Sequence, residues 1–152
     1  MCSIVHYKNI ISFIFVLLFL NVPSFANNFV SIKSSTTNLR AGPGKQYPIN
    51  WTLILQNMPV KIIEKSNTYS KVELYDGTIG WIWNVTISEK KTLLVVRDSY
   101  IFDGKKNNIA FVKKNVVLEK LKCDELIKKT KSCKVKIDNL KGYISYKDIW
   151  GI

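Results

Sequence analysis

The chain has 152 residues, with 23 lysines and arginines against 11 aspartates and glutamates, for a formal net charge of +12. Its histidine is His6 and its cysteines are Cys2, Cys123 and Cys133, so beyond the first few residues the usual histidine-dependent base and nucleophile pairs are excluded. Positive charge of this size attracts polyanions and anionic membrane surfaces, although lysines scattered among Asn and Ile are equally what a merely solvated surface shows.

Residues 1–26 have the three parts of a secretory signal. Lys8 lies near the start, Ile10 to Leu20 is an apolar run broken only by Ser12, and Ser24-Phe25-Ala26 offers small residues for cleavage. The predicted mature chain begins at Asn27 and works in the periplasm. An uncleaved anchor is the alternative, since the apolar run is only slightly short for a membrane span. Cys2 precedes the apolar core, which argues against lipid attachment there.

Short bursts of apolar alternation between turn signals follow, the pattern of small all-β domains. Strands are predicted over Phe29 to Lys33, Asn38 to Arg40, Thr52 to Leu55, Pro59 to Lys65, Ser70 to Tyr75 and Ile79 to Trp83, with a short helical turn at Val85 to Ser88. Gly42 and Gly44, which can take positive φ, flank Pro43 in a tight turn, while Asp76-Gly77 suits a hairpin. The second half repeats the plan: Gly80-Trp81-Ile82-Trp83 aligns with Gly142-Tyr143-Ile144-Ser145, Lys71 to Leu74 with Lys134 to Ile137, and Asn57 to Val60 with Asn115 to Leu118. Extra residues in the second copy fall between Cys123 and Cys133, at a loop tip that tolerates insertion.

Cys123 and Cys133 are the cysteines left after cleavage, and an even count in an exported chain predicts a disulfide. Closing so short a loop would contribute about 2 to 3 kcal/mol. Free thiols and zinc are the alternatives; nine intervening residues and no mature histidine make a poor zinc site.

The segment Asn38-Leu39-Arg40-Ala41-Gly42-Pro43-Gly44, read with Gly80-Trp81-Ile82, resembles the bacterial SH3-like domain family, and the whole chain resembles small exported proteins with two such domains. The resemblance implies an all-β fold of two tandem SH3-like small β-barrels, at residues 28–89 and 90–152. It departs from the family at Tyr69 and Ser132, where a tryptophan is usual, and at Val96 to Tyr100, where the glycine-rich loop has decayed, so the second copy reads as structural. Members of the family attached to cell-wall hydrolases are thought to hold peptidoglycan peptides.

Strand parity sorts the aromatic residues. With Val72, Leu74 and Ile82 inward, Tyr69, Trp81 and Trp83 point outward, and Tyr47 and Trp51 from the first loop join them as candidate ligand-binding residues. The plain alternative is that Trp81 and Trp83 bury the contact between the two modules. No catalytic residues, metal ligands or cofactors are predicted, and the chain is expected not to be an enzyme. The expected function is a non-catalytic periplasmic module that binds cell-wall peptide or an envelope protein; a basic scaffold on anionic membrane or an acidic partner is the alternative, separable by its salt dependence. Nucleic acid fits the charge but not the compartment.

Overall fold

The computed structural model describes residues 28–123 and 131–152. The expected signal at 1–26 and the tip of the loop between the cysteines lie outside the described residues. Strands β1 (Phe29–Ile32), β2 (Thr37–Arg40), β3 (Ile49–Leu53), β4 (Pro59–Lys65), β5 (Tyr69–Glu73), β6 (Ile79–Trp83) and β7 (Ile87–Ser88) form one antiparallel sheet in the order β3-β2-β6-β5-β4-β1-β7. Strands β8 (Thr92–Val95), β9 (Ser99–Phe102), β10 (Asn108–Val112), β11 (Val117–Cys123), β12 (Ser132–Ile137), β13 (Leu140–Ser145) and β14 (Ile149–Trp150) form the second, in the equivalent order β10-β9-β13-β12-β11-β8-β14. Single 3-10 turns at Asn84–Thr86 and Tyr146–Asp148 precede the last strand of each sheet. The first lies one residue earlier than predicted.

The expectation of two closed barrels is corrected. Closure removes sheet edges by pairing the first and last strands, and here β3 pairs only with β2 while the two-residue β7 pairs only with β1. Each sheet curls over its core and remains open. The free edge shows in the side chains, for Ile49 and Trp51 on β3 are 49% and 62% exposed.

Alternation builds the cores. Val72 and Leu74 from the β5 segment and Ile82 from β6 join Val30, Ile32, Leu39 and Val60 in the first, while Ile101, Val112, Leu118, Cys133, Val135 and Ile144 fill the second. Strand β8 is buried along its whole length. Leu93 and Val95 enter the second core, whereas Leu94 belongs to the first. Full burial of each such aliphatic side chain contributes about 1.5 to 3 kcal/mol, so β8 ties the two sheets together. The junction also holds the Thr92 hydroxyl, donating to the Asn57 carbonyl at 2.7 Å, and an edge-on contact of Phe29 and Trp150 at 5.1 Å. None of these junction contacts involves Trp81 or Trp83.

Cys123 and Cys133 stand opposite one another on β11 and β12 and are disulfide-bonded, with Cα atoms 4.1 Å apart. Among the described residues, no helix is long and apolar enough to cross a membrane.

Candidate functional site

The loop after β2 is held by its own arginine. The Arg40 guanidinium donates to the carbonyls of Lys45 and Tyr47 at 3.2 and 2.8 Å, drawing the chain back toward β2. Gly42 lies beneath the Tyr47 ring, where a Cβ would come within 2.4 Å of it. Gly42 and Gly44 do not use the positive φ open to them; space selects glycine at position 42, whereas Gly77 in the Asp76-Gly77 turn does have φ of 84°. At the far end of the motif, Gly80 lets β6 approach β2, for a Cβ there would meet Leu39 Cγ at 2.5 Å.

This framework leaves a cleft of about 270 Å³ on the first sheet, lined by Arg40, Lys45, Asn38, Tyr69, Trp83 and neighbouring threonines. The register pairs Tyr69 with Trp83, so the two rings share a face. Tyr69 is buried against the cleft and Trp83 is 43% exposed, with Lys45 Nζ 5.7 Å from its ring centroid. A cation over an indole face is attracted by the ring quadrupole. No carboxylate lines the cleft, which leaves it cationic.

Of the five aromatic candidates, the structure brings only Tyr69 and Trp83 together in this cleft. Trp81 sits one row along, opposite Lys71 and Arg40, and is half-buried. Tyr47 packs over Gly42 in the loop. Trp51 pairs with the core residue Leu39 and so lies on the other face of the sheet. The pairing is regular from Thr37 opposite Leu53 to Leu39 opposite Trp51; the shift comes after it, where Arg40 opposes Ile49 and β3 spends an extra residue. Among the described residues no ring contact joins any two of the five, and the expected aromatic binding surface on the first half is corrected accordingly. Arg40 and Lys45 are the residues that sequence reasoning did not assign to the site; the arginine stood in the motif without a role.

Two carboxylates have lowered pKa values, and both cap turns outside the cleft. Asp76 is held down by the Thr78 backbone N–H, which donates to it at 3.0 Å. Asp103 is held down chiefly by the Asn107 side chain, together with the Asn107 and Lys105 N–H groups. Among the described residues no group of three His, Cys, Asp or Glu side chains is placed to hold a metal.

Residues 35–88 match the bacterial SH3 domain family. No curated protein matches the chain. Similar solved structures include NlpC1 from Trichomonas vaginalis, at 13% identity and a TM-score of 0.37, covering 82% of this chain and 45% of that one. NlpC2 from Trichomonas vaginalis is 13% identical with a TM-score of 0.39, covering 83% and 49%. An NlpC/P60 family protein from Bacillus cereus is 15% identical with a TM-score of 0.37, covering 80% and 55%. The chain thus spans about half the length of each.

These findings correct three expectations. A bacterial SH3 match extends over one stretch and stops at residue 88, so the chain is not identified as a tandem SH3 protein. The expectations of a purely non-catalytic binding module and of a protein that is not an enzyme are withdrawn: the three solved structures above, similar over most of the chain, are two NlpC proteins and one NlpC/P60 family protein. Those likenesses assign no reaction to it.

Proposed function

We propose that this chain works on the cell wall in the periplasm, and that the cationic cleft of the first sheet receives a carboxylate-bearing wall peptide. The observation that carries the reading is Lys45 poised over the Trp83 ring beside Arg40 and Tyr69, with no acidic side chain in the lining. A peptide carboxylate entering there would take the Lys45 ammonium as its partner in a charge-assisted hydrogen bond, and its apolar side chains would lie against Tyr69 and Trp83. The match to the bacterial SH3 domain, whose wall-associated members are thought to hold peptidoglycan peptides, supports the same class of ligand. Capture at this cleft serves a peptidase as directly as it serves an adaptor, and the proposal concerns capture.

Sedimentation with purified peptidoglycan tests it. Wild type should be retained, and Lys45→Glu and Trp83→Ala should each lower retention several-fold, since hot-spot aromatic and charged contacts cost about 1 to 2 kcal/mol or more when removed. Equal retention of all three proteins, or of none, overturns the reading.

A further inference from the structure

The outer face of the second sheet carries what the first lacks. Inward positions on β12 and β13 are taken by Cys133, Val135, Gly142 and Ile144, which sends Lys134, Lys141 and Tyr143 to the other side. The ladder continues the row: Lys134 opposes Tyr143, and Tyr143 opposes Phe102 on β9. Phe102 and Tyr143 stack with ring centroids 6.1 Å apart, and Tyr100 and Phe111 meet edge-on at 5.2 Å farther toward the β10 edge. Tyr100 and Phe111 are 51% and 53% exposed. One half of this face is therefore aromatic and the other half is lysine.

The lysines are set against one another. Lys136 directly opposes Lys141, a like-charge pairing that costs stability on its own. Glu119 stands in register with Lys136, yet none of the ion pairs among the described residues includes Lys134, Lys136 or Lys141. An anion laid across the strands offsets the repulsion. Five strands from β11 to β10 make the face roughly 20 Å wide, at about 4.8 Å per strand.

The geometry points to a linear acidic polysaccharide as the ligand of this face, its sugar C–H faces on Tyr100, Phe111, Phe102 and Tyr143 and its carboxylates on Lys134 and Lys141. Exposed rings offer flat apolar surface that a sugar ring covers without losing its equatorial hydroxyls to burial, and the lysines supply charge complementarity. The disulfide at Cys123 and Cys133 favours an oxidising compartment, where acidic glycan is available and nucleic acid is not the standing polyanion.

Calorimetric titration of the full chain with polygalacturonate oligomers, and with dextran oligomers as the neutral control, decides the matter. Saturable binding to polygalacturonate alone is expected, weakening as salt rises. The double variant Lys134→Gln/Lys141→Gln should weaken it about tenfold, the equivalent of losing two modest charge contacts, and Tyr100→Ala/Phe111→Ala by a similar factor. All four positions are on the outer face, and circular dichroism of each variant is the check that it folds. The inference is overturned by absence of saturable binding, by affinity that neither double variant changes, or by affinity lost in Trp83→Ala, which would move the ligand to the first half. Tighter binding of a single-stranded DNA oligonucleotide than of polygalacturonate would reassign the face to nucleic acid. The wall-peptide cleft stands or falls separately, since its residues are all on the first sheet.

Discussion

The two halves share a strand order but present opposite kinds of surface. On the first sheet, the rings are dispersed over both faces and the loop after β2, and the notable feature is a small cationic cleft built around a loop that Arg40 holds shut. On the second, the rings fall into register across β9, β10 and β13 and form contacts with each other. The same topology thus yields a cleft in one copy and a continuous aromatic and lysine face in the other. The difference comes from which outward positions of the ladder hold aromatic residues, and from whether a glycine-rich loop folds over them.

The largest test of this comparison concerns how separate the halves are. Leu94 is fully buried in the first core although it lies on a strand of the second sheet. Replacing it with alanine should destabilise the protein by about 2 to 5 kcal/mol. Urea unfolding followed by fluorescence and by circular dichroism should still give one coincident transition in wild type. Two separated transitions in wild type would show the halves to be independent units despite their shared strand.

A smaller effect distinguishes the two copies at equivalent glycines. Gly80 and Gly142 both permit close strand approach, but a Cβ at Gly142 would stand 2.4 Å from Ile101 Cγ2 and 2.9 Å from the Phe102 carbonyl oxygen. At Gly80 the nearest backbone atom is the Arg40 carbonyl oxygen at 3.1 Å, and the closest obstacle is the Leu39 side chain. Side chains give way more readily than backbone. Gly142→Ala should therefore cost about 1 to 3 kcal/mol and Gly80→Ala less, measured by the same denaturation; the reverse order would mean that the first core is the more rigid one.

Much of the fold was legible in the sequence. Pro59–Lys65 and Ile79–Trp83 are strands with the predicted limits, and the inward residues Val72, Leu74 and Ile82 are buried. Alternation is a local signal, and local reading suffices for it. Closure into a barrel was not legible, because it depends on whether β3 and β7 meet, which no motif encodes. The aromatic surfaces failed for a related reason. Trp51 is on the face of its partner Leu39, a pairing that only the ladder reveals, and Tyr143, some forty residues from Tyr100 and Phe102 in sequence, joins those rings and Phe111 only once β9, β10 and β13 pair. Their motif had decayed, so the second copy read as structural.

The finest distinction between the halves is in their Asp-Gly turns. Asp76 accepts one backbone hydrogen bond, from Thr78, whereas Asp103 accepts from the Lys105 and Asn107 N–H groups at 2.8 and 2.9 Å and from the Asn107 side chain at 3.0 Å. Both carboxyls are held below the ordinary aspartate value of 3.8 by these donors, which favour the ionised form. A depressed folded-state pKa stabilises the fold above the unfolded value, and the contribution disappears as pH falls through the folded one. Stability should therefore decline slightly on acidification below about pH 4. Asp103→Asn should flatten that decline more than Asp76→Asn, because three donors are in hydrogen-bond geometry at Asp103, whereas at Asp76 only the Thr78 N–H is, with the Thr78 side chain and the Asp76 N–H acting as weaker additional donors. Urea midpoints at pH 7 and pH 3 for the three proteins measure it, and an equal flattening by both substitutions would show that the turn of the second half holds its carboxylate no more firmly than that of the first.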